Sequence, residues 1–222
     1  MNETTPQKRR AWLWLVVLTP VAALGTVALL LALGVLFKAS GETLEPTREE
    51  RALLLDIWHL SAWMAEYTPD LAGERMTKTR YFDDSYEIEY VYDLPDDEAA
   101  PYLTYSLTFE STEADARGTY TSIWGGTKIA FMMLGDTEVL VDERSELFQW
   151  GDFSRFGVLT TDGTPFGNVF LARRGSMVVY LLLAGVYFDE RESVSELLMP
   201  YLEKLDGFSA AEPSYAGRQN TP

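Results

Sequence analysis

Histidine and cysteine, which often carry metal and nucleophile chemistry, are nearly absent from this chain. Its 222 residues contain no Cys and a single His, His59. Without Cys there is no disulfide, thiolate metal site or Cys nucleophile, and one His excludes clusters of several imidazoles. We therefore predict no metal and no cofactor. His59 is either an axial ligand of a pigment or haem, or a histidine at the surface or an interface, and we favour the second interpretation.

Two aromatic and two basic residues are further candidates for contact with a partner. Trp58 and Trp63 flank His59 in a predicted helix, where they either pack in the core or touch lipid headgroups or another protein. Arg173 and Arg174 belong to a predicted tight hairpin in an otherwise acidic region, so we expect them to be exposed and to face a partner. These five residues form our candidate contact set.

Motifs for catalysis and phosphate binding are weak or missing. No Gly-x-Ser-x-Gly nucleophile motif accompanies His59, and residues 125–128 (GGTK) lack the spacing of a phosphate loop, so we interpret them as a helix break. A run of acids lacks the alternating ligands of a calcium loop and is interpreted as a solvated turn; its members are Asp93, Asp96, Asp97 and Glu98. A pair of carboxylates acting as acid and base stays open, but we predict that the chain is not an enzyme.

Charge is distributed unevenly along the chain. Three of the 18 basic residues and one of the 34 acidic residues lie within residues 1–10, so the remainder carries a net charge of −18. Such a chain repels nucleic acid, whose phosphates need clustered cations, and gains nothing from anionic lipid. We therefore expect no nucleic acid partner. Halophilic adaptation and ordinary solubility both produce such acidity.

An uncharged apolar segment indicates a transmembrane helix at residues 11–37. A helix of 27 residues is about 40 Å long, which exceeds the roughly 30 Å hydrocarbon core of a bilayer. The alternative is a cleaved signal peptide, but its apolar region is normally about 7–15 residues long. Basic residues precede the segment and acidic residues follow it, so the N-terminus is expected in the cytoplasm. The membrane is then the inner or plasma membrane of the cell. The following domain is then periplasmic or extracellular.

Small and aromatic residues of this segment suggest its neighbours. Trp12 and Trp14 lie where a headgroup layer is expected. Gly25, Ala28 and Ala32 follow at helical spacing and form a small-residue stripe, which permits close approach of another transmembrane helix. The alternative is that Ala and Gly are simply common in such helices. We predict the bilayer and other transmembrane helices as partners, whereas the sequence does not define a small-molecule ligand.

Helical and strand patterns alternate in the predicted domain, residues 47–207. A capping box at Thr47 and Glu50 begins a predicted helix over residues 48–67. Strands follow at 77–82, 86–92 and 102–109, then a helix that begins near residue 111 and is interrupted at Gly125 and Gly126. Residues 128–134 after it are either a helix or a strand. Strands at 137–141, 154–160, 166–173 and 177–188 and a final helix to Gly207 complete the domain.

This element order predicts an α+β fold in which helices pack on one face of a largely antiparallel sheet. The apolar run at residues 177–183 is expected to be a central strand covered on both faces. The complete organisation is a basic tail (1–10), the membrane helix (11–37), a short linker (38–46), the α+β domain (47–207) and a polar tail (208–222). Because the linker is short, the first helix of the domain is expected close to the membrane surface.

Residues 167–205 show a strand, an Arg-Arg-Gly-Ser turn, an apolar strand and an amphipathic helix in succession. This pattern resembles the C-terminal part of uncharacterised bacterial extracytoplasmic domains that follow a single span or a lipid anchor. The resemblance covers about a fifth of the chain. It implies a bacterial envelope location and an α+β fold, and it implies no catalytic residue.

Two functions fit these observations. The first is a non-catalytic, single-span accessory or scaffolding subunit of a larger membrane complex, for example a respiratory or photosynthetic assembly. The second is a membrane-anchored ligand-binding or sensing module. A deep apolar pocket would favour the sensing module, and a solid core would favour the accessory subunit.

Overall fold

A computed structural model describes residues 41–64, 67–97, 99–133 and 139–208. The chain divides into two compact units, Met1–Glu42 and Thr43–Pro222. The predicted membrane helix lies outside the described residues, as do Trp12, Trp14, the small-residue stripe and residues 209–222 of the polar tail. Among the described residues, no helix combines the length and apolarity that a membrane crossing requires.

The strands and the α-helices are numbered in chain order. The strands are β1 (Glu42–Leu44), β2 (Glu74–Arg80), β3 (Tyr86–Tyr92), β4 (Tyr102–Phe109), β5 (Val139–Glu143), β6 (Phe153–Thr161), β7 (Thr164–Arg174) and β8 (Met177–Ala184). The α-helices are α1 (Arg48–Arg51), α2 (Ile57–Ser61), α3 (Glu113–Met133) and α4 (Arg191–Gly207), and a 3₁₀ turn occupies Leu71–Gly73.

An eight-stranded sheet in the order β1-β2-β3-β4-β8-β7-β6-β5 forms the centre of the fold. Strands β2–β4 and β5–β8 are two antiparallel meanders, which meet where β4 pairs antiparallel with β8. Two-residue turns link β6 to β7 and β7 to β8, whereas residues 144–152 link β5 to β6. Asp162 and Gly163 both have positive φ, at 50° and 75°, which matches the twist of a two-residue hairpin. The predicted α+β class with a largely antiparallel sheet is confirmed.

Helices cover both faces of the sheet, so the prediction of a single covered face is wrong. On one face, residues 53–55, α2 and α4 pack on side chains that include Tyr105, Val179 and Leu181. On the other face, α3 packs on side chains that include Leu171 and Val178. Because neighbouring residues of a strand point to opposite faces, β8 needs apolar residues at every position, and its central, doubly covered location is confirmed.

The predicted helix over residues 48–67 is divided into α1 and α2, which corrects the sequence interpretation. The Thr47–Glu50 capping box forms as expected. Three consecutive residues after it, Leu53, Leu54 and Leu55, are all buried, and one helical stripe cannot bury three successive side chains. The chain therefore turns, and a second helix starts after Asp56.

Helix α3 passes through Gly125 and Gly126 without interruption, so the predicted break there is also wrong. A Cβ added to either glycine would meet nothing within 4 Å, which shows that both face open space. Two glycines reduce helix propensity by about 1 kcal/mol each, and burial of Ala116 and Trp124 against the sheet outweighs that cost. Helix α4 contains Pro200 and ends at Gly207, as predicted.

Candidate interaction surface

Helix α2 has a buried and an exposed side, because its first turn is fixed from two directions. The Asp56 carboxylate caps the helix by accepting a hydrogen bond from the His59 amide at 3.1 Å. The Tyr90 hydroxyl accepts another from the Ile57 amide, also at 3.1 Å. Ile57 and Leu60 are fully buried. The intervening and following positions, which include Trp58 and His59, consequently face outward.

Trp58 is a large exposed aromatic side chain held in one orientation. It is 46% exposed, and its indole Nε1 donates to the Glu74 carboxylate at 2.7 Å. Trp63, on the turn after α2, is 40% exposed, and its ring meets the Phe188 ring edge-on at 5.5 Å between centroids. Neither tryptophan is a core residue, so the core-packing interpretation is wrong for both.

His59 is exposed beside Trp58 and is paired within its own turn. Its Nδ1 lies 2.6 Å from the Asp56 carboxylate, and its ring meets the Tyr201 ring edge-on at 5.2 Å. Burial, with a smaller effect of Asp56, raises the pKa of the Tyr201 hydroxyl above its ordinary value. In the described parts of the chain, no three His, Asp or Glu side chains come together in a way that holds a metal ion.

The loop between β8 and α4 extends this exposed region, and a buried amide fixes its conformation. Asn168 of β7 is 1% exposed; its Nδ2 donates to the Phe188 carbonyl at 2.9 Å and its Oδ1 accepts from the Phe188 amide at 2.7 Å. Phe188 is therefore held by its backbone and supports Trp63 by its ring. Tyr187, next to it, is 45% exposed. We use the name α2 aromatic face for the three exposed aromatic residues on and near α2, which are Trp58, Trp63 and Tyr187; of these, Trp63 and Tyr187 line one groove.

An open groove of about 240 Å³ lies at one end of this face. Trp63 and Tyr187 line it together with two carboxylate residues, Asp189 and Glu190. The sequence interpretation did not include this groove, because its walls come from segments more than 120 residues apart in the chain. The sequence signal for the groove was Asn168, a polar residue within an apolar strand, because such a residue indicates a buried hydrogen-bond partner from another segment.

Arg173 and Arg174 lie elsewhere, at the β7–β8 turn, and are not brought together with α2. Arg173 is only 4% exposed, so its expected exposure is wrong. It donates to the Gly175 carbonyl at 2.8 Å and pairs with Asp152 at 3.2 Å, and these bonds fix the turn from inside. Arg174 is partly exposed; it pairs with Asp206 of α4 and lies 5.5 Å from the centroid of the Trp150 ring.

The other sequence motifs have structural explanations. Lys128 of the GGTK segment lies 5.2 Å from the Trp124 ring centroid and 3.8 Å from the Glu143 carboxylate, within an unbroken helix. Its segment is therefore not a phosphate loop. Asp97 of the acidic run accepts from the Ala99 amide at 3.0 Å in an exposed turn, in agreement with a solvated turn.

Among the residues that the structure describes, the space beneath α4 is filled by apolar side chains. The pocket there is bounded by apolar side chains such as Phe156, Leu181 and Leu198 and leaves no room for a water molecule. A wider, open groove of about 400 Å³ lies between residues 146–149 and α4. The layer beneath α4 is thus a packed core, and the open clefts are on the surface.

Comparisons with known proteins assign neither a family nor a function to this chain. Function must accordingly be argued from the geometry of the surface itself, since fold alone does not determine it. No protein-family model, curated protein or solved structure matches this chain.

Proposed function

We propose that the chain is a non-catalytic accessory or scaffolding subunit of a larger membrane protein complex, such as a respiratory or photosynthetic assembly. A single N-terminal helix anchors it, and its acidic domain covers the extracytoplasmic side. The observation that carries this proposal is the α2 aromatic face. Three large aromatic side chains are each at least 40% exposed, and two of them are oriented by contacts with Glu74 and Phe188.

Exposed aromatic side chains of this kind are typical of protein interfaces. Trp and Tyr are enriched among the residues that contribute most to protein–protein binding, because they bury a large area at little entropic cost. A hydrogen bond to Glu74 orients Trp58, and an edge-on contact with Phe188 orients Trp63. Preorganised side chains lose less freedom on binding, so this face is suited to a persistent partner.

The sequence supports the membrane location of the complex. The uncharged segment at residues 11–37 is long enough for a bilayer, and the basic residues before it favour a cytoplasmic N-terminus. The sequence gives a short linker, residues 38–46, between that segment and the predicted domain. A partner in the same membrane is therefore within easy reach of the domain.

The packed layer beneath α4 favours this function over the ligand-binding or sensing module. A small-molecule site normally encloses about 300–1,000 Å³ within apolar walls. The pocket beneath α4 admits no water, and the two grooves described above are open to solvent. The exposed aromatic side chains instead suit a flat or convex protein partner.

Native electrophoresis of membranes solubilised in mild detergent tests the proposal. We expect the chain to migrate with an assembly much larger than its own 25.1 kDa. Migration as a lone monomer would refute the accessory role. Protease treatment of intact spheroplasts provides the orientation: the domain should be cleaved, and protection of the domain would place it on the cytoplasmic side.

A further inference from the structure

The groove next to Trp63 combines two aromatic rings with two exposed carboxylates. Asp189 and Glu190 are exposed, and within the described residues neither forms a salt bridge. The nearest basic residue in sequence, Arg191, donates to the Glu146 carbonyl at 2.5 Å and so points to a different groove. Asp189 acts electrostatically on Arg144, but Arg144 forms its close ion pair with Glu146, so both exposed carboxylates of the groove are accessible to an external cation.

Aromatic rings and carboxylates together recognise organic cations. A Lys ammonium or Arg guanidinium is attracted to the face of Trp or Tyr, and it forms charge-assisted hydrogen bonds with carboxylates. The volume of about 240 Å³ is smaller than that of most small-molecule sites, which start at about 300 Å³. One long side chain therefore fits the groove better than a whole metabolite does.

The walls of the groove are fixed before any ligand arrives. Asn168 holds both backbone groups of Phe188, as described above. At the start of the same loop, Gly185 has a positive φ of 85°, and its amide donates to the Phe166 carbonyl at 2.9 Å. A Cβ at Gly185 would stand 3.1 Å from the Pro101 Cα, so the loop is also packed against the chain that enters β4.

The net charge of −18 on residues 11–222 favours a basic protein over an anionic lipid surface as the partner. The turn that leads to Pro101 carries Asp93, Asp96 and Asp97, all exposed. Such a field attracts a cationic protein surface and speeds encounter with it, whereas it opposes approach to anionic lipid headgroups.

We propose that this groove, lined by Trp63, Tyr187, Asp189 and Glu190, receives a Lys or Arg side chain from a basic surface of a partner protein. This inference rests on the proposed accessory function and names the chemistry of the partner. The aromatic rings provide the contact area, and the two carboxylates select a cation.

A photo-crosslinking amino acid at Tyr187 of the full chain, in its own membranes, tests the inference. We expect a cross-link to another protein within a segment that contains Lys or Arg, with a yield that falls as salt is raised. The double variant Asp189→Asn/Glu190→Gln should lower the yield about tenfold, because it removes both carboxylates. The matched control Glu192→Gln/Glu196→Gln removes two exposed charges of α4 outside the groove and should leave the yield unchanged.

Other outcomes overturn the inference. A cross-linked species of twice the chain mass would identify a second copy as the occupant, and a cross-link to lipid would identify the bilayer. An equal effect of both double variants would show that only net charge matters. If a large native assembly persists without any cross-link from Tyr187, this inference fails and the accessory function stands. Migration as a monomer removes the accessory function itself.

Discussion

Replacement of Asn168 by Ala should destabilise the domain strongly, because one buried amide holds the loop that supports Trp63. The side chain is 1% exposed and forms two short hydrogen bonds with the Phe188 backbone, at 2.9 Å and 2.7 Å. Its third contact, with the Gly157 carbonyl at 3.5 Å, is weak. Phe188 is itself 7% exposed, so water cannot readily replace the lost partners.

The magnitude follows from the two backbone groups that the variant leaves unpaired. A buried donor or acceptor without a partner costs about 1–3 kcal/mol, so two of them reduce the free energy of unfolding by about 4 kcal/mol. For a domain of this size, 1 kcal/mol corresponds to roughly 2–4 °C in Tm, which gives an expected decrease of about 8–16 °C.

Thermal unfolding of the full chain in detergent, followed by tryptophan fluorescence, measures this decrease. The control is Gln149→Ala, which removes an exposed amide and should change Tm by less than about 2 °C. A decrease in Tm of less than about 3 °C for Asn168→Ala would show that the Asn168 amide does not hold the loop. The groove would then not be preformed.

Three further predictions concern an ion pair, the glycines and the membrane helix. Burial raises the pKa of Glu50, but the hydrogen bonds with Lys78 and Thr47 outweigh burial, so the Glu50 pKa lies below its ordinary value of 4.5. The ion pair therefore stabilises the fold above pH 4.5, and this stabilisation is lost as the pH falls through the lowered pKa. Lys78→Met should therefore reduce the free energy of unfolding by about 3 kcal/mol at pH 7. The reduction should become smaller as the pH falls through the Glu50 pKa, and urea titrations at pH 7 and at a pH below that pKa measure the difference. Gly126→Ala should stabilise α3 by about 0.5–1 kcal/mol, because the added Cβ meets open space. Gly167→Ala should destabilise the sheet, because the added Cβ would collide with a backbone carbonyl of β8. Thermal unfolding measures both changes, and a lower Tm for the Gly126 variant would contradict the prediction. Ala28→Leu should reduce the amount of native complex on electrophoresis if the small-residue stripe is an interface, and unchanged assembly counts against that role.

The strands were predictable because their signals are local. Apolar alternation identified β4, the turn at residues 83–85 separated β2 from β3, and a Gly at a positive-φ turn separated β6 from β7 and β7 from β8. The continuous apolar run of β8 also predicted its cover on both faces. These patterns depend on neighbouring residues and on the two-residue period of a strand, so one sequence is enough to detect them.

The helix boundaries were less predictable because distant residues decide them. The division between α1 and α2 depends on the Tyr90 hydroxyl, which belongs to β3, and on Asp56 as a second cap. The continuity of α3 through Gly125 depends on burial of its flanking residues against β7 and β8. Local propensity predicts a break there, and tertiary packing prevents it.

Half of the candidate surface was visible in the sequence. Trp58, His59 and Trp63 attract notice as clustered aromatic residues near a predicted membrane helix, although their exposure required the structure. Asp189 indicated only the start of a helix, and Glu190 was not singled out. Their location beside Trp63 depends on a contact between segments more than 120 residues apart in the chain.

Native electrophoresis of the wild type beside the double variant Trp58→Ala/Trp63→Ala tests the central claim most directly. The account predicts that the wild type migrates in a large assembly and that the double variant is released from it. Phe82→Ala, which removes a 77% exposed aromatic ring on the β2–β3 turn, should leave the assembly intact. A wild-type chain that migrates at 25.1 kDa, or a double variant that assembles as the wild type does, would contradict the account.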